Sequence, residues 1–519
     1  MTAAYTNAAT TTTDDFAQAR DMFDKMVRYL ESRAGLGMTH NELEDYVVRE
    51  GRELQRRMLQ AHLDLRARAE ASVQVVNSDG VRLEKPRNTT RRLVSIVGEV
   101  VVSRILYQAA DAKGLSPLDA GLNVPHESFS LGVRRRVAEE VASGSFDHAV
   151  ERLGATTGAA VAKRQVEELA QRAATDFTTF YAAPPDAPAD ESGMLLVLTF
   201  DAAGIVVRTE DLRPATRRAA EKQASEERWP PKRLTKGHKR NRKRMAQVAV
   251  VYGVEPFARE PEDIVRELRP VEDASANKRR PRPVNKRAWA SVVQEPSFVI
   301  ETAFTEALRR DPERKRRWVV LVDGHETQLD LIYAAARKVG VDITVIVDLM
   351  HVLEYLWKAS HCFNPDGTTE AEEWVTKRLV MLLDGVEPSD VAGGIRRSAT
   401  LLGLEDRAAV DDCADYLCKY RHYIRYGAAI AAGLPIATGV VEGACRYLVR
   451  DRMDKTGARW SAAGAEAVLK LRALRANGDF DAYWEHHIAA EYERNHASRY
   501  AKHAVPNPLA TRRHLRRVK

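Results

Sequence analysis

MLLVLTFD, residues 194–201, is an almost continuous apolar run that stops abruptly at an aspartate. A run without polar alternation is typical of a strand that is buried on both faces of a sheet. Two later segments repeat the pattern, because WVVLVD ends at Asp323 and ITVIVD ends at Asp348. In sheets covered by helices, functional groups collect just beyond the carboxyl ends of the strands. The three acids therefore predict a functional crevice.

The neighbouring segments predict the α/β class. AQVAVVYGV (246–254) is interpreted as another buried strand, and helical patterns such as FVIETAFTEALRR and LDLIYAAARKVG alternate with the later strands. This alternation is typical of a mixed or parallel sheet covered by helices. From about residue 365 to 430 the pattern is all helical.

The front of the chain predicts a mainly helical domain with one hairpin. Thr39 and Glu42 form the capping-box pattern that starts a long helix. RRLVSIVGEVVVSRILY (91–107) is rich in β-branched residues and predicts a β-hairpin. We expect the buried face of the long helix to consist of Leu43, Val47, Leu54, Met58 and Leu63.

Residues 131–181 are predicted to form three helical pieces separated by turns that contain glycine. A helix, a short helix, a turn and a longer helix are the layout of a helix-turn-helix. In such a module the front of the last helix enters the major groove of DNA. The layout predicts base contacts by Lys163, Arg164 and Gln165, and a plain three-helix packing unit is the alternative.

The charge of the chain favours a polyanionic partner. There are 80 Lys and Arg residues against 73 Asp and Glu residues, and the excess is concentrated in the tracts 230–244 and 277–287. Clustered basic charge binds DNA phosphates by counterion release, although a solvated or disordered loop is the alternative.

The sequence also bears on the cellular compartment. The four cysteines lack C-x-x-C spacing, which predicts reduced thiols. The sequence shows neither a signal-peptide pattern nor an apolar stretch of the ~20 residues that span a bilayer. We expect a soluble cytoplasmic protein that has no membrane partner and associates with the bacterial nucleoid when bound to DNA.

Carboxylates that are brought together repel one another, and burial increases the cost. Oxygen ligands without His or Cys partners suit Mg²⁺ or Mn²⁺, and two such ions can activate an attacking oxygen and stabilise a leaving one. A carboxylate cluster in a basic protein therefore predicts an enzyme that acts on phosphodiesters with two metal ions.

The order of these segments resembles the ribonuclease-H-like core of DDE transposases. LLVLTFD with GIVVRT resembles the first hairpin of that core, AQVAVVYGV the third strand, WVVLVD the fourth and ITVIVD the fifth. The resemblance implies that Asp201 and Asp323 are the first two catalytic, metal-binding acids. It implies a third on a later helix, where GVVEGACRYLVRDRM offers Glu442. Asp348-Leu-Met-His351 resembles an accessory Cys/Asp-x-x-His motif of several transposase groups.

Two of these assignments have competitors. Asp348 could replace Asp323 as the second acid, because it also ends an apolar strand. Glu354 or Glu405 could replace Glu442, although neither has the same sequence context. No His or Cys set has zinc spacing, and we do not expect a zinc site.

Basic residues follow Glu442. Positions 442, 446 and 450 are four apart and would share one face of a helix, beside the acids. The pattern predicts phosphate contacts, with a solvated basic face as the alternative, for Arg446, Arg450, Arg452, Lys455 and Arg459.

The front half extends the resemblance. GRELQRRMLQAHLDLRA, SPLDAGLNVPHESFS and the segments around 131–170 are similar to bacterial ISKra4-family insertion-sequence transposases, over roughly residues 45–475. This implies binding of terminal inverted repeats, metal-dependent strand cleavage, strand transfer to target DNA, and a homodimer or higher oligomer on DNA. A ribonuclease-H-like nuclease for structured nucleic acid and a catalytically silent DNA-binding regulator are the alternatives.

The observations together predict a division of the chain into segments. We expect 1–13 to be disordered, 14–120 to form an N-terminal helical and β-hairpin domain, 121–183 a helix-turn-helix-like DNA-binding segment, 191–363 the first part of the ribonuclease-H-like core, 364–436 a helical insertion, 437–480 the last core helix with Glu442, and 481–519 a basic C-terminal tail.

Overall fold

The computed structural model describes residues 14–182, 193–226, 239, 242–268, 280–455 and 458–509. The predicted disordered segment 1–13 and most of the basic tract 230–244 lie outside these residues. The chain separates into two compact units, residues 1–182 with 481–519 and residues 183–480. Among the described residues, every helix is too short or too polar to cross a membrane.

The first unit begins with a helical hairpin. Helices α1 (Ala17–Glu31) and α3 (His40–Arg68) are joined by the short α2 (Arg33–Leu36). The predicted capping box at the start of α3 is confirmed, because Thr39 and Glu42 each accept a hydrogen bond from the backbone of the other.

The predicted buried face of α3 is largely wrong. Leu63 is buried, but Val47 is 45% exposed and Met58 is 49% exposed. The reason is that α1 packs against a neighbouring stripe of α3, where Tyr29 stacks on Tyr46 with their ring centroids 4.5 Å apart.

The predicted β-hairpin is confirmed and lies at the edge of a small sheet. Strands β1 (Lys85–Ser95) and β2 (Gly98–Ala109) are antiparallel, and β3 (Ala112–Leu115) pairs with the other edge of β2. Helix α4 (Pro117–Gly121) follows.

The three predicted helical pieces are present as α5 (Leu131–Ser143), α6 (Phe146–Thr157) and α7 (Lys163–Ala173), and α8 (Phe177–Ala182) comes after them. Gly158 ends α6 with a φ of +68°, a conformation that glycine adopts without a Cβ clash. The helix-turn-helix layout is thus observed, whereas DNA binding by it stays a prediction.

The second unit is built on a mixed sheet of five strands. They are β4 (Leu195–Val206), β5 (Lys243–Val254), β6 (Val284–Ser291), β7 (Trp318–Val322) and β8 (Ile343–Val347), in the order β6-β5-β4-β7-β8. Strand β5 is antiparallel to both of its neighbours, whereas β4, β7 and β8 are parallel. The predicted α/β class with a mixed sheet is confirmed.

The strand assignments in the first half of this sheet need correction. LLVLTFD and GIVVRT do not form a hairpin, because residues 195–206 are one continuous strand paired with β5. AQVAVVYGV is therefore the second strand of the sheet along the chain rather than the third. The third is β6, which begins within the basic tract 277–287 and carries Lys286 and Arg287 on the edge of the sheet. Basic residues are common on edge strands, and here they concealed the strand pattern.

Helices cover the sheet and then continue without strands, as predicted. Those interleaved with the strands are α9 (Pro214–Glu226), α10 (Pro261–Leu268), α11 (Pro296–Arg310), α12 (Glu326–Val339) and α13 (Leu349–Ser360). The all-helical stretch comprises α14 (Thr369–Leu383), α15 (Pro388–Leu401), α16 (Ala408–Lys419) and α17 (Tyr426–Ala431). After it come α18 (Gly439–Ala444), a π-helical turn (Cys445–Arg450), α19 (Asp451–Met453) and α20 (Ala462–Asn477).

The end of the chain is a helix of the first unit and not a tail. Helix α21 (Phe480–Asn495) buries Tyr483, Trp484 and His487, and residues from 481 onward belong to the first unit. Two short 3₁₀ turns, Ala497–Arg499 and Ala501–His503, follow it. The predicted C-terminal tail is therefore wrong for residues 481–509, because aromatic side chains of this segment are buried.

The central strand β4 should be sensitive to loss of volume. Phe200 is 2% exposed, so we expect Phe200→Ala to destabilise the second unit by about 3–5 kcal/mol, through lost burial and a residual cavity. Phe298→Ala, at a position that is 48% exposed, is the matched control and should change stability little. Thermal denaturation followed by circular dichroism checks this, and equal losses in the two variants would contradict the burial of β4.

Candidate active site

Three acids lie at one level across neighbouring parallel strands. Strand β4 pairs with β7 from Leu196 opposite Trp318 to Thr199 opposite Leu321, and continuing this register brings Asp201 level with Asp323. The pairing of Val322 with Val347 likewise brings Asp323 level with Asp348.

The crevice at Asp201 does not arise from a strand end. Strand β4 continues to Val206, but its pairing with β7 stops at Thr199. Asp201, on β4, is therefore half-buried, because β7 no longer pairs with β4 at this level. The predicted strand end at Asp201 is therefore wrong, because β4 continues past this acid.

Asp323 experiences the other two acids directly. Burial raises the pKa of its carboxyl to about 6, and the carboxylates of Asp201 and Asp348 raise this pKa as well, while the His351 imidazole lowers it. Two half-buried carboxylates at close range are the situation that a divalent cation relieves. The oxygen donors of Asp201 and Asp323 therefore fit a hard ion such as Mg²⁺.

Asp348 is fully buried and already has partners for both of its oxygens. Its Oδ1 accepts the backbone N–H of Thr438 at 2.9 Å, and its Oδ2 lies 3.0 Å from Nδ1 of His351. This hydrogen bond and the nearby carboxylates raise the pKa of His351 to about 9. Through this hydrogen bond Asp348 holds the cationic His351 beside Asp323.

Glu442 is connected to this cluster through Thr438. The Thr438 hydroxyl donates to Oε1 of Glu442 at 3.3 Å, while the backbone of the same residue donates to Asp348. Glu442 itself is exposed at the start of α18. Among the described residues, Asp201, Asp323 and Glu442 do not form a group whose ligand oxygens all lie within 4.8 Å of one another.

The helical segment that carries Glu442 also contacts the first acid. The Cys445 thiol donates a hydrogen bond to the side chain of Asp201, and burial followed by this carboxylate raises the pKa of the thiol. Cys445 begins the π-helical turn. Because a π-turn rotates the residues after it, the regular four-residue spacing from Glu442 to Arg450 is interrupted, and such turns are frequent at functional sites.

The helical insertion holds the backbone at Asp323. The Tyr416 hydroxyl on α16 donates to the carbonyl oxygen of Asp323 at 2.7 Å. The next residue, Gly324, has a φ of +93°, and a Cβ there would lie 3.2 Å from both the Tyr416 hydroxyl and the Tyr420 ring. Sequence reasoning gave Tyr416, Thr438 and Cys445 no role at the acids, since only the fold brings them there.

The basic residues after Glu442 are divided by the structure. Arg446, Arg450, Lys455 and Arg459 are exposed, as phosphate contacts require. Arg452 is buried, and its guanidinium lies 4.6 Å from the centroid of the Trp460 ring. The expectation of a phosphate contact at Arg452 is therefore wrong, because this side chain packs into the protein.

The three predicted base-contacting residues begin α7. Arg164 is exposed and pairs with Glu168 at 3.0 Å, and Lys163 pairs with Asp147 at 2.7 Å. Gln165 accepts the backbone N–H of Ala162 with its Oε1 and so caps its own helix.

A second cluster of ionisable groups lies in the first unit. Asp176, His487 and Glu491 have ligand atoms within 4.8 Å of one another and are buried. Arg134 occupies the cluster as well, with its guanidinium 3.0 Å from Nε2 of His487 and 2.7 Å from Oε2 of Glu491. An internal guanidinium already neutralises these carboxylates, so the cluster is a structural ion network.

The chain matches no protein-family model and no curated protein.

The carboxyl of Asp323 is buried beside two other acids and should lower the free energy of unfolding at neutral pH. Its folded pKa of about 6 lies above the ordinary value of 3.8, so the folded state loses stability as the pH rises from 3.8 through 6. We expect Asp323→Asn to raise the melting temperature at pH 7.5 in EDTA, and the gain to shrink as the pH falls towards 4.

Asp342→Asn, an exposed acid just before β8, is the control and should leave the melting temperature unchanged at each pH. Melting curves at pH 7.5, 5.5 and 4.5 provide the comparison. A gain in the Asp323 variant that does not depend on pH would contradict the raised pKa.

The ion network around His487 should need no metal. His487 is fully buried between Asp176 and Arg134, so His487→Ala should cost about 3 kcal/mol of stability by leaving both groups without a partner. The neighbouring His486→Ala is the control and should cost much less. Zn²⁺ should shift the melting temperatures of the wild type and of His487→Ala equally, whereas stabilisation by Zn²⁺ that disappears in His487→Ala would identify a metal site instead.

Proposed function

We propose that the chain is a DDE-type DNA transposase, which cleaves DNA strands and transfers them in a metal-dependent reaction. The observation that carries this proposal is the level placement of Asp201 and Asp323 on adjacent parallel strands, with the pKa of Asp323 raised by burial and by its acidic neighbours. Such a pair favours a divalent cation, and a basic protein that holds one is suited to phosphodiesters.

The sheet supports a ribonuclease-H-like core for this activity. The first acid lies on the first strand of the sheet along the chain and the second follows the fourth, as the resemblance implies. The second strand runs against its neighbours, and the all-helical stretch comes before Glu442. The positions of the two acids and of the all-helical stretch were expected from the resemblance, and for that reason they support the proposal.

Asp201, Asp323 and Glu442 would hold Mg²⁺ or Mn²⁺, in two sites. The ions would activate the attacking oxygen and stabilise the leaving oxygen of the phosphodiester. The residues of the chain would then do the positioning: Thr438 orients Glu442, Tyr416 fixes the backbone at Asp323, and the exposed Arg446 and Arg450 contact phosphates.

Asp348 and His351 would have an accessory role. Because both oxygens of Asp348 accept hydrogen bonds, this acid is less available as a ligand than Asp323. The cationic His351 would limit the repulsion around Asp323 before a metal ion binds. Glu354 is exposed on α13 and raises the pKa of His351, so it is the nearer of the two competitors for the role of Glu442.

The first unit would recognise the DNA. Helix α7 presents Lys163, Arg164 and Gln165 at its start, where a recognition helix contacts bases. The ligands would be the terminal inverted repeats of an insertion sequence and, during strand transfer, target DNA.

The test is strand cleavage and joining on a labelled duplex that carries one end of the mobile element, with Mg²⁺ or Mn²⁺. We expect Asp201→Asn, Asp323→Asn and Glu442→Gln to lower the rate by at least about a thousandfold while DNA affinity is retained, because each removes a charged metal ligand. Asp342→Asn should be as active as the wild type. Asp348→Asn should retain measurable activity, since its effect is indirect.

Three outcomes would revise the proposal. A wild-type chain that binds the duplex end and never cuts it would favour the DNA-binding regulator. Preferred cutting of junctions or hybrids over the element end would favour the nuclease. Activity in Asp323→Asn together with none in Asp348→Asn would reassign the second acid.

A further inference from the structure

Helix α3 carries an apolar stripe that no described part of the chain covers. At 100° per residue, positions 47, 54, 58 and 65 fall within about 40° of one another around the helix. Val47, Met58 and Leu65 are exposed, and Leu54 is half-buried. Gly51 lies on the same side, and a Cβ there would meet open space. The stripe is thus apolar, continuous and narrow, like the seam of a coiled coil.

The other faces of α3 are already occupied. Helix α1 packs on the side of Tyr46 and Arg57, through the tyrosine stack and a hydrogen bond from Arg57 to the Gln18 carbonyl. Strand β2 packs near Gln60, whose side chain exchanges two hydrogen bonds with the backbone of Val101. The exposed stripe is therefore a third face of α3, and α1 and β2 pack against the other two faces.

The charge on α3 is divided between its two ends. Residues 40–50 contain one arginine, Arg49, and four carboxylates, Glu42, Glu44, Asp45 and Glu50. Residues 51–68 contain two carboxylates, Glu53 and Asp64, and five arginines, Arg52, Arg56, Arg57, Arg66 and Arg68. The first half is negative and the second half is positive. Glu53 already pairs with Arg56 and Arg57 within the helix. A second copy of this helix running in the opposite direction brings the negative first half onto the positive second half, whereas a parallel copy places like charges together.

We propose that the exposed stripe of α3 is the contact between two copies of this chain, with the two α3 helices antiparallel across a twofold axis. An axis between residues 52 and 53 places Val47 opposite Met58 of the second copy and Gly51 opposite Leu54. The large side chain of each pair faces a smaller one, and Gly51 allows the helices to approach closely near the axis. The pairing uses no residue of the candidate active site.

The experiment is sedimentation equilibrium of the full chain without DNA, in the wild type and in charged variants. The wild type should sediment at twice the chain mass of 58.0 kDa. Val47→Arg and Met58→Glu should each weaken the dimer at least about tenfold, because each buries a charge beside like charges of the other copy. Leu401→Glu, at an 81% exposed position on α15, is the matched control and should leave the dimer intact.

The double variant Val47→Arg, Met58→Glu tests the direction of the helices. In the antiparallel arrangement each new arginine faces a new glutamate of the second copy, so the double variant should recover a tighter dimer than either single variant. In a parallel arrangement like charges would face each other, and the double variant would be the weakest of the three. Circular dichroism melting should show that all variants fold, since the altered side chains are exposed.

Three results would overturn the proposal. The first is a wild type that remains monomeric up to about 50 µM, a range in which a micromolar dimer would be detected. The second is a dimer that tolerates both single variants, and the third is a double variant that dimerises more weakly than either single variant. Loss of DNA cleavage with an intact dimer would count against the proposed function alone, so the two proposals fail separately.

Discussion

The repulsion between Asp201 and Asp323 is the constraint on which the second unit depends. Backbone pairing of β4 with β7 as far as Thr199 sets the register that brings the two residues level, and the carboxylate of Asp201 raises the pKa of Asp323. The surrounding residues counteract this repulsion or hold the acids in place. His351 contributes positive charge. Thr438 donates a hydrogen bond to Asp348, and Tyr416 donates one to the backbone carbonyl of Asp323.

Most strands were predictable from the sequence, because a buried parallel strand needs an uninterrupted apolar run. Strand β6 was not, since Lys286 and Arg287 on an edge strand look like a solvated tract. The roles of Thr438 and Tyr416 could not be predicted from the sequence, because they depend on contacts between segments about 90 residues apart. The face of α3 was assigned wrongly because periodicity shows that a stripe is apolar but not which partner covers it.

A buried ion network connects the last helix to the rest of the first unit. Arg134 on α5 is buried against Glu491 and His487 of α21, and His487 also binds Asp176. Buried ion networks of this kind stabilise little compared with apolar packing, but they tolerate few alternative arrangements. They therefore specify where the last helix docks.

The position of α21 has a consequence for biosynthesis. The first unit consists of residues 1–182 and 481–519, so the ribosome completes the whole second unit before it delivers the segment that closes the first. Until then the carboxylate of Asp176 and the guanidinium of Arg134 lack the histidine that lies between them. The second unit is a contiguous segment and can fold during this interval. A prematurely terminated chain would thus contain a complete second unit attached to a first unit that lacks α21.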